Sequence, residues 1–334
     1  MQTFAFNRAS SAEQAIRLGL ASQTAQQGAS VRFIAGGTTL TDLMKLGVEY
    51  PQQLVDINHL PLAEVSAVSG GGLKVGALVR NSDLAQHAAV KAEYAVLSQA
   101  LLSGASAQLR NMASTGGNLL QRTRCTYFRD NHSPCNKREP GSGCAAIGGI
   151  NRTLAIFGTS EHCIATNPSD MNVALTALEA QVHIRGSDGE RVVPIGEFFL
   201  VPGDTPDKEN VLQPGDLVTH VELPAPRSGS RSGYLKLRDR ASYEFALASA
   251  AVVLQIDGGR VRHARIAMGG VGTKPWRATA AEQALIGAPA TAASWQLAAE
   301  AAVKGAQPQS ENGFKIELAK RCVAQALANV AALA

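Results

Sequence analysis

The chain has 334 residues, 45% hydrophobic and 17% charged, with 32 glycines and a formal net charge of +4. Its length allows two or three domains, each with its own core. No run approaches the ~18 apolar residues of a membrane helix, residues 1–8 lack an apolar signal core, and Lys and Arg are dispersed. A membrane span, self-directed export by the general secretory route and nucleic-acid binding are therefore not expected.

In chain order, Ser11 with Gln14 three residues on has the capping-box form, predicting a helix whose Ala15, Leu18 and residues 21–25 face a core. Residues 31–35 (Val-Arg-Phe-Ile-Ala) are β-prone and are halted by Gly36-Gly37, after which residues 38–45 read as a helix start. A strand, a glycine pair, hydroxyl side chains and a helix N-terminus make a phosphate cradle, because glycine admits close backbone approach and exposed amides point at the anion. The pair lacks the P-loop lysine and the dinucleotide-fold glycine spacing. Residues 54–57 and 73–79 read as strands, and 94–102 as a helix leading to Ser114, Thr115, Gly116, Gly117 and Asn118. Two such loops suggest one extended phosphate-bearing cofactor gripped from two sides; two ordinary turns are the plainer reading.

Cys125, Cys135, Cys144 and Cys163 fall in one 39-residue window rich in Gly, Pro and Asn, and leave only Cys322 outside it. Four thiolates suit a tetrahedral zinc or an iron-sulfur cluster. Successive cysteines lie ten, nine and nineteen positions apart, which fits neither a zinc knuckle nor the compact ferredoxin run. Disulfides are not needed in a chain of this size without an export signal. On spacing alone an iron-sulfur cluster, zinc, and merely structural cysteines all stay open.

Phe33, Ile34, Ala35, Gly36, Gly37, Thr38, Thr39 and Leu40, then Ser114 to Leu119, then Pro168-Ser169-Asp170-Met171, occur in an order that resembles the FAD-binding subunit of xanthine dehydrogenase family molybdenum hydroxylases. The cysteine insertion is similar to that of the [4Fe-4S]-containing members, which include 4-hydroxybenzoyl-CoA reductase. It is most like the periplasmic aldehyde oxidoreductases of enterobacteria, through 121–125, 134–138, 140–146 and 163–166. The resemblance implies an α+β chain. A two-lobed FAD-binding domain of the vanillyl-alcohol oxidase and MurB-like (PCMH) type would span 1–225, with a small lobe to about 57 and a larger lobe over 58–225 carrying the iron-sulfur loop 121–165. A C-terminal α+β domain like that of carbon monoxide dehydrogenase flavoproteins would follow over 230–334, after the Pro, Gly and Ser-rich break at 224–233.

It also implies roles. The first loop would bind the FAD pyrophosphate and the second would complete the phosphate and ribityl site. Asp170 would accept from the cofactor's sugar hydroxyls. Lys236 would sit near the isoalloxazine ring, with Arg240 a weaker candidate there. Cys125, Cys135, Cys144 and Cys163 would hold a [4Fe-4S] cluster. A large molybdopterin subunit would oxidise an aldehyde with water, a small subunit would relay electrons through two [2Fe-2S] clusters, and this chain's FAD would pass them to an external acceptor. The heterotrimer would reside in the periplasm, co-exported on a partner's signal, with a cytoplasmic enzyme as the alternative. A partner acting on an N-heterocycle or an acyl-CoA is the competing reading; a zinc-stabilised scaffold without flavin is the third.

Other residues read plainly. The seven histidines are scattered without ligand spacing, Cys322 reads as a buried small apolar side chain, and Trp276 as a core-edge tryptophan. Residues 245–254 and 261–268 predict paired strands, and Ala-rich helices close the chain.

Overall fold

The computed structural model describes residues 1–333, built around three sheets. Strands β1 (Ala5–Arg8), β2 (Val31–Ile34) and β3 (Gln53–Asp56) form a parallel sheet in the order β1-β3-β2. Strands β4 (Val65–Ala67), β5 (Leu73–Gly76), β6 (Gln181–Gly186), β7 (Gly189–Pro194) and β8 (Leu217–Leu223) form an antiparallel sheet in the order β4-β5-β8-β6-β7. Beyond Pro224, strands β9 (Ser230–Leu237), β10 (Ala248–Asp257), β11 (Arg260–Gly269) and β12 (Trp276–Arg277) form the third, also antiparallel.

The second sheet buries one face and the third buries both, Ala251 and Ala267 joining the second sheet's core. Val75, Val182, Val221 and Leu223 pack against Leu97 and Leu101 of the Ala95–Ser103 helix and Val173 of the Asp170–Ala177 helix. In the third sheet Val252, Leu254, Ala264 and Ile266 meet Trp295, Ala298, Val323 and Leu327 from the closing helices Ala292–Ala302 and Phe314–Ala331. Cys322 is buried there, and Trp276 stacks on Phe157 at 5.1 Å. The parallel sheet closes over Ala15 and Ile16 of the Ala12–Gly19 helix.

Local chemistry moved some expected boundaries. Ser11 Oγ accepts from the Gln14 amide, but Gln14 returns to Ser10, so the reciprocal cap is shifted by one residue. The first helix stops at Gly19: Ser22 Oγ bonds Thr24 O and draws 21–25 into a turn. The strand expected over 73–79 ends at Gly76, because Leu78 N donates to Leu62 O and the chain turns toward Ser114. The second glycine pair is not a loop but the first turn of a short helix, Thr115–Leu119, with Ser114 as its cap.

Candidate functional site: two joined cavities beside a cysteine-lined segment

The β2 strand delivers the first glycine pair to a cavity of about 210 Å³ lined by Phe33, Ile34, Ala35, Gly36, Gly37, Thr38, Thr39 and Leu40, facing Ser114, Gly116 and Gly117. A second cavity, of about 520 Å³, shares Thr38, Thr39 and Gly117 with the first and continues past Asn118, Asp170 and Lys236. The two loops thus form the waist of one elongated space. Gly36 makes that waist possible: a Cβ there would lie 2.0 Å from Met112 O, in the segment that leads into Ser114. Gly37 has φ +71°, a conformation that costs a side-chain-bearing residue energy. Among the described residues, nothing accepts from the amides of Gly37, Thr38 and Thr39, three donors ahead of the Leu40–Lys45 helix. Thr115, unlike Ser114 and Gly116, does not line the first cavity: its hydroxyl bonds Val79 O.

Asp170 and Lys236 come together as one buried pair. Lys236 Nζ donates to Asp170 Oδ2 at 2.8 Å and to Ser103 O at 3.2 Å, and Tyr234 Oη donates to Asp170 Oδ1 at 2.6 Å. Burial, then the Asp170 charge, pushes the Tyr234 phenol well above its ordinary value, so it stays a donor. The pair joins the Asp170–Ala177 helix to β9, and each carboxylate oxygen keeps a further lone pair for a ligand hydroxyl. Arg240 lines neither cavity; it bonds Tyr243 O and lies over the Tyr243 ring at 5.8 Å.

Several arginines at the site were not anticipated. Arg122 lines the first cavity and is the hub of a buried network: it pairs with Glu49 and Glu209, Arg32 pairs with Glu49 at 2.9 Å, and Lys137 with Glu209 at 3.1 Å. Burial raises the Glu209 carboxyl, but the Arg122 and Lys137 charges outweigh it and hold the group at about 2. Arg129 and Arg124 line the second cavity; Arg124 lies over Phe245 at 5.0 Å, and burial, then Arg129, lowers its guanidinium to about 10. Arg122 and Arg129 each keep one buried guanidinium nitrogen without a partner. The sequence signal for Arg122 and Arg124 was present in the run Gln121-Arg122-Thr123-Arg124, but nothing in it told which lobe they face.

These observations fit an elongated anionic cofactor such as FAD: open amides at the waist, arginines in the lining of both cavities, and a volume split between two ends.

The cysteine segment abuts this space through Arg122 and Arg124. Cys125, Cys135 and Cys163 are buried with Leu43, Phe128 and Ile164, and Cys144 packs against them. All five cysteines are free. Cys135 and Cys144 are cross-strand partners in an isolated bridge. Burial raises the Cys125 thiol to about 12, with Cys135 and Cys163 adding to the rise, and burial likewise raises Cys163 against the opposing charge of Lys137. The thiols are therefore near enough to sense one another. Yet no three of their sulfurs lie within 4.8 Å of one another among the described residues. A mononuclear zinc, with Zn–S of about 2.3 Å, requires sulfurs about 3.8 Å apart, closer than any three of these sulfurs come among the described residues.

Comparison with known proteins follows this geometry. Residues 2–226 match the family described as FAD binding domain in molybdopterin dehydrogenase, and residues 233–330 match the CO dehydrogenase flavoprotein C-terminal domain. The chain is 48% identical over 335 residues to the aldehyde oxidoreductase FAD-binding subunit PaoB of Escherichia coli (strain K12), covering 100% of both. It is 28% identical to the glyceraldehyde dehydrogenase medium chain of Sulfolobus acidocaldarius, over 85% of this chain and 81% of that one. Among solved structures, carbon monoxide dehydrogenase of Hydrogenophaga pseudoflava superposes with a TM-score of 0.77 at 26% identity, over 99% of this chain and 98% of that one. No helix among the described residues is long and apolar enough to cross a membrane.

Proposed function

The chain belongs to the molybdopterin-dehydrogenase FAD-binding family, and on that premise we propose that it is the FAD- and [4Fe-4S]-carrying electron-transfer subunit of a molybdenum aldehyde oxidoreductase. The observation that carries the reading is the elongated space whose waist is made by Gly36, Gly37 and Gly117, flanked by the four-cysteine segment. FAD, when bound, accepts electrons singly or in pairs and so couples one-electron centres to an acceptor.

This chain's own residues bind and orient. The amides of Gly37, Thr38 and Thr39 face the pyrophosphate, with Arg122 lining the same cavity. Asn118 and Asp170 meet sugar or ribityl hydroxyls, and Lys236, held by Asp170, presents positive charge toward the ring end. Cys125, Cys135, Cys144 and Cys163 hold the cluster. A large molybdopterin subunit and a small [2Fe-2S] subunit complete the heterotrimer, an external acceptor takes the electrons, and a signal on a partner carries the assembly to the periplasm. Support for the aldehyde as substrate is the full-length similarity to an aldehyde oxidoreductase subunit.

The test is the iron, acid-labile sulfide, zinc and flavin content of the complex purified anaerobically, with EPR after reduction. About four irons beyond those of the small subunit and one FAD per chain are expected; zinc without flavin would overturn the reading. Gly37→Val forces a branched side chain into a φ of +71° where the phosphates approach. Its flavin-to-protein ratio is expected to fall several-fold, and an unchanged ratio removes the first loop from the pyrophosphate site.

A further inference from the structure

One group of three ligand-type side chains brings its donor atoms within 4.8 Å of one another among the described residues: His183, His220 and Glu222. It lies outside both cavities and away from the cysteine segment's residues. Sequence spacing hid it, because the histidines are far apart in the chain and are joined only by the register of the antiparallel sheet. His183 on β6 is the direct partner of His220 on β8, and Glu222 follows two positions on, hence on the same face.

The arrangement is specific. The imidazoles stack at 3.9 Å with a 20° interplanar angle, and His183 Nε2 lies 3.5 Å from Glu222 Oε2. The β6–β8 ladder shifts register between His183 and Ile184, which leaves Thr219 as the extra residue of a bulge. Its hydroxyl lies 2.9 Å from His220 Nδ1, so His220 Nε2 is the nitrogen left free. A hydrogen bond to the far nitrogen is how a ligating histidine is commonly oriented. Burial lowers both imidazoles, with His183 adding to the shift of His220. Lys74 is the register partner of Glu222 on β5 and opposes a cation bound by charge alone. Two imidazoles favour a metal that forms directed bonds to nitrogen over calcium or magnesium.

We propose that His183, His220 and Glu222 form a binding site for a divalent transition metal of the zinc class, with a fourth position open to water. Tetrahedral coordination at about 2.0–2.2 Å places donors about 3.3 Å apart, so the three groups close by roughly 1.5 Å at most, within side-chain rotation. The bound ion cross-links neighbouring strands β6 and β8 on the polar side of the five-stranded sheet, and its open position accepts an exchangeable ligand.

The test is zinc titration by calorimetry, and cobalt titration by visible spectroscopy, on the assembled complex, with iron and flavin measured before and after so that cluster loss is not mistaken for a new site. One zinc per chain is expected to bind the unaltered complex and to be lost or weakened at least about 100-fold by His220→Ala. Thr219→Val, which leaves the ligands in place, is expected to weaken binding about tenfold. His183→Gln serves where His220→Ala fails to assemble. Absence of this zinc in the unaltered complex, or equal stoichiometry and affinity in the ligand variants, overturns the assignment.

Discussion

Residues 121–165 and the sheet-and-helix domain beginning at β9 each surround a buried apolar cluster, yet they are ordered by opposite means. In the C-terminal domain the backbone does the ordering: β10 and β11 pair along ten-residue strands, and an 18-residue helix packs across β10 and β9. In the cysteine segment the regular structure is a four-residue helix, Thr126–Arg129, and isolated bridges. There the side chains do the ordering. Arg138 donates to Tyr127 O and Phe128 O, Asn136 Oδ1 accepts from Gly143 N, and Lys137 and Arg122 share Glu209. Fixing each residue costs about 1–2 kcal/mol, and a long segment without its own ladders rarely stays ordered in a compact domain without a function or a staple. The metal cluster proposed for the four thiolates would be such a staple.

Cys135→Ser tests that difference most severely. Loss of about four irons per chain is expected, with protease cleavage newly confined to 121–165 while the C-terminal domain stays resistant. Iron at the parental value would remove Cys135 from the ligand set. Arg122→Met leaves Glu49 with Arg32 alone and Glu209 with Lys137 alone in the interior, a loss smaller than the about 3–5 kcal/mol of a wholly unpaired buried charge. Hydrogen exchange should show the loosening in the cysteine segment and the first cavity, and exchange unchanged there would reduce the network to decoration. Ile266→Ala removes a fully buried side chain from the other region and should cost about 2–5 kcal/mol in denaturant unfolding, with iron and flavin unchanged.

A pH-dependent effect lies where the regions meet. Lys315 is fully buried in the closing helix, and its Nζ donates to Thr153 O, Leu154 O and Gly270 O without a carboxylate partner. Burial, then Arg152, lowers it from 10.5 to about 7. Between those values the unfolded chain binds a proton that the folded chain does not, so Lys315 makes stability rise with pH from about 7 toward 10.5. Below about 7 both states are charged, and the cost of burying the ammonium is fully present. Melting temperature against pH should rise less steeply across this window in Lys315→Met than in the parent; parallel curves would show that the lysine is not held neutral.

Regions with periodic backbone order were the legible ones. Strands at 31–34 and the β10–β11 pair follow from β-branched runs bounded by glycine, and the closing helices from Ala-rich patterns, because these signals act through the nearest residues. The helices Asn81–Gln86 and Ala107–Met112 were not anticipated, being six residues each with weak patterning. The glycine pairs were legible as backbone that must approach something. What Gly36 approaches, Met112 O, was not, since that contact joins segments distant in the chain.

The sequence by itself determined the residue types that the chemistry requires: two glycine pairs with hydroxyl neighbours, four cysteines in one window, an acid at 170 and a base at 236. Only the tertiary structure decided which of them meet. It joined Asp170 to Lys236 across two domains, made Arg122 the link between cavity and cysteine segment, and set His183 against His220 through strand register. The physical reason is range. Backbone preferences act over a few residues, whereas buried charges and ligand groups are satisfied by whatever long-range packing brings within bonding distance, and no local pattern encodes that partner.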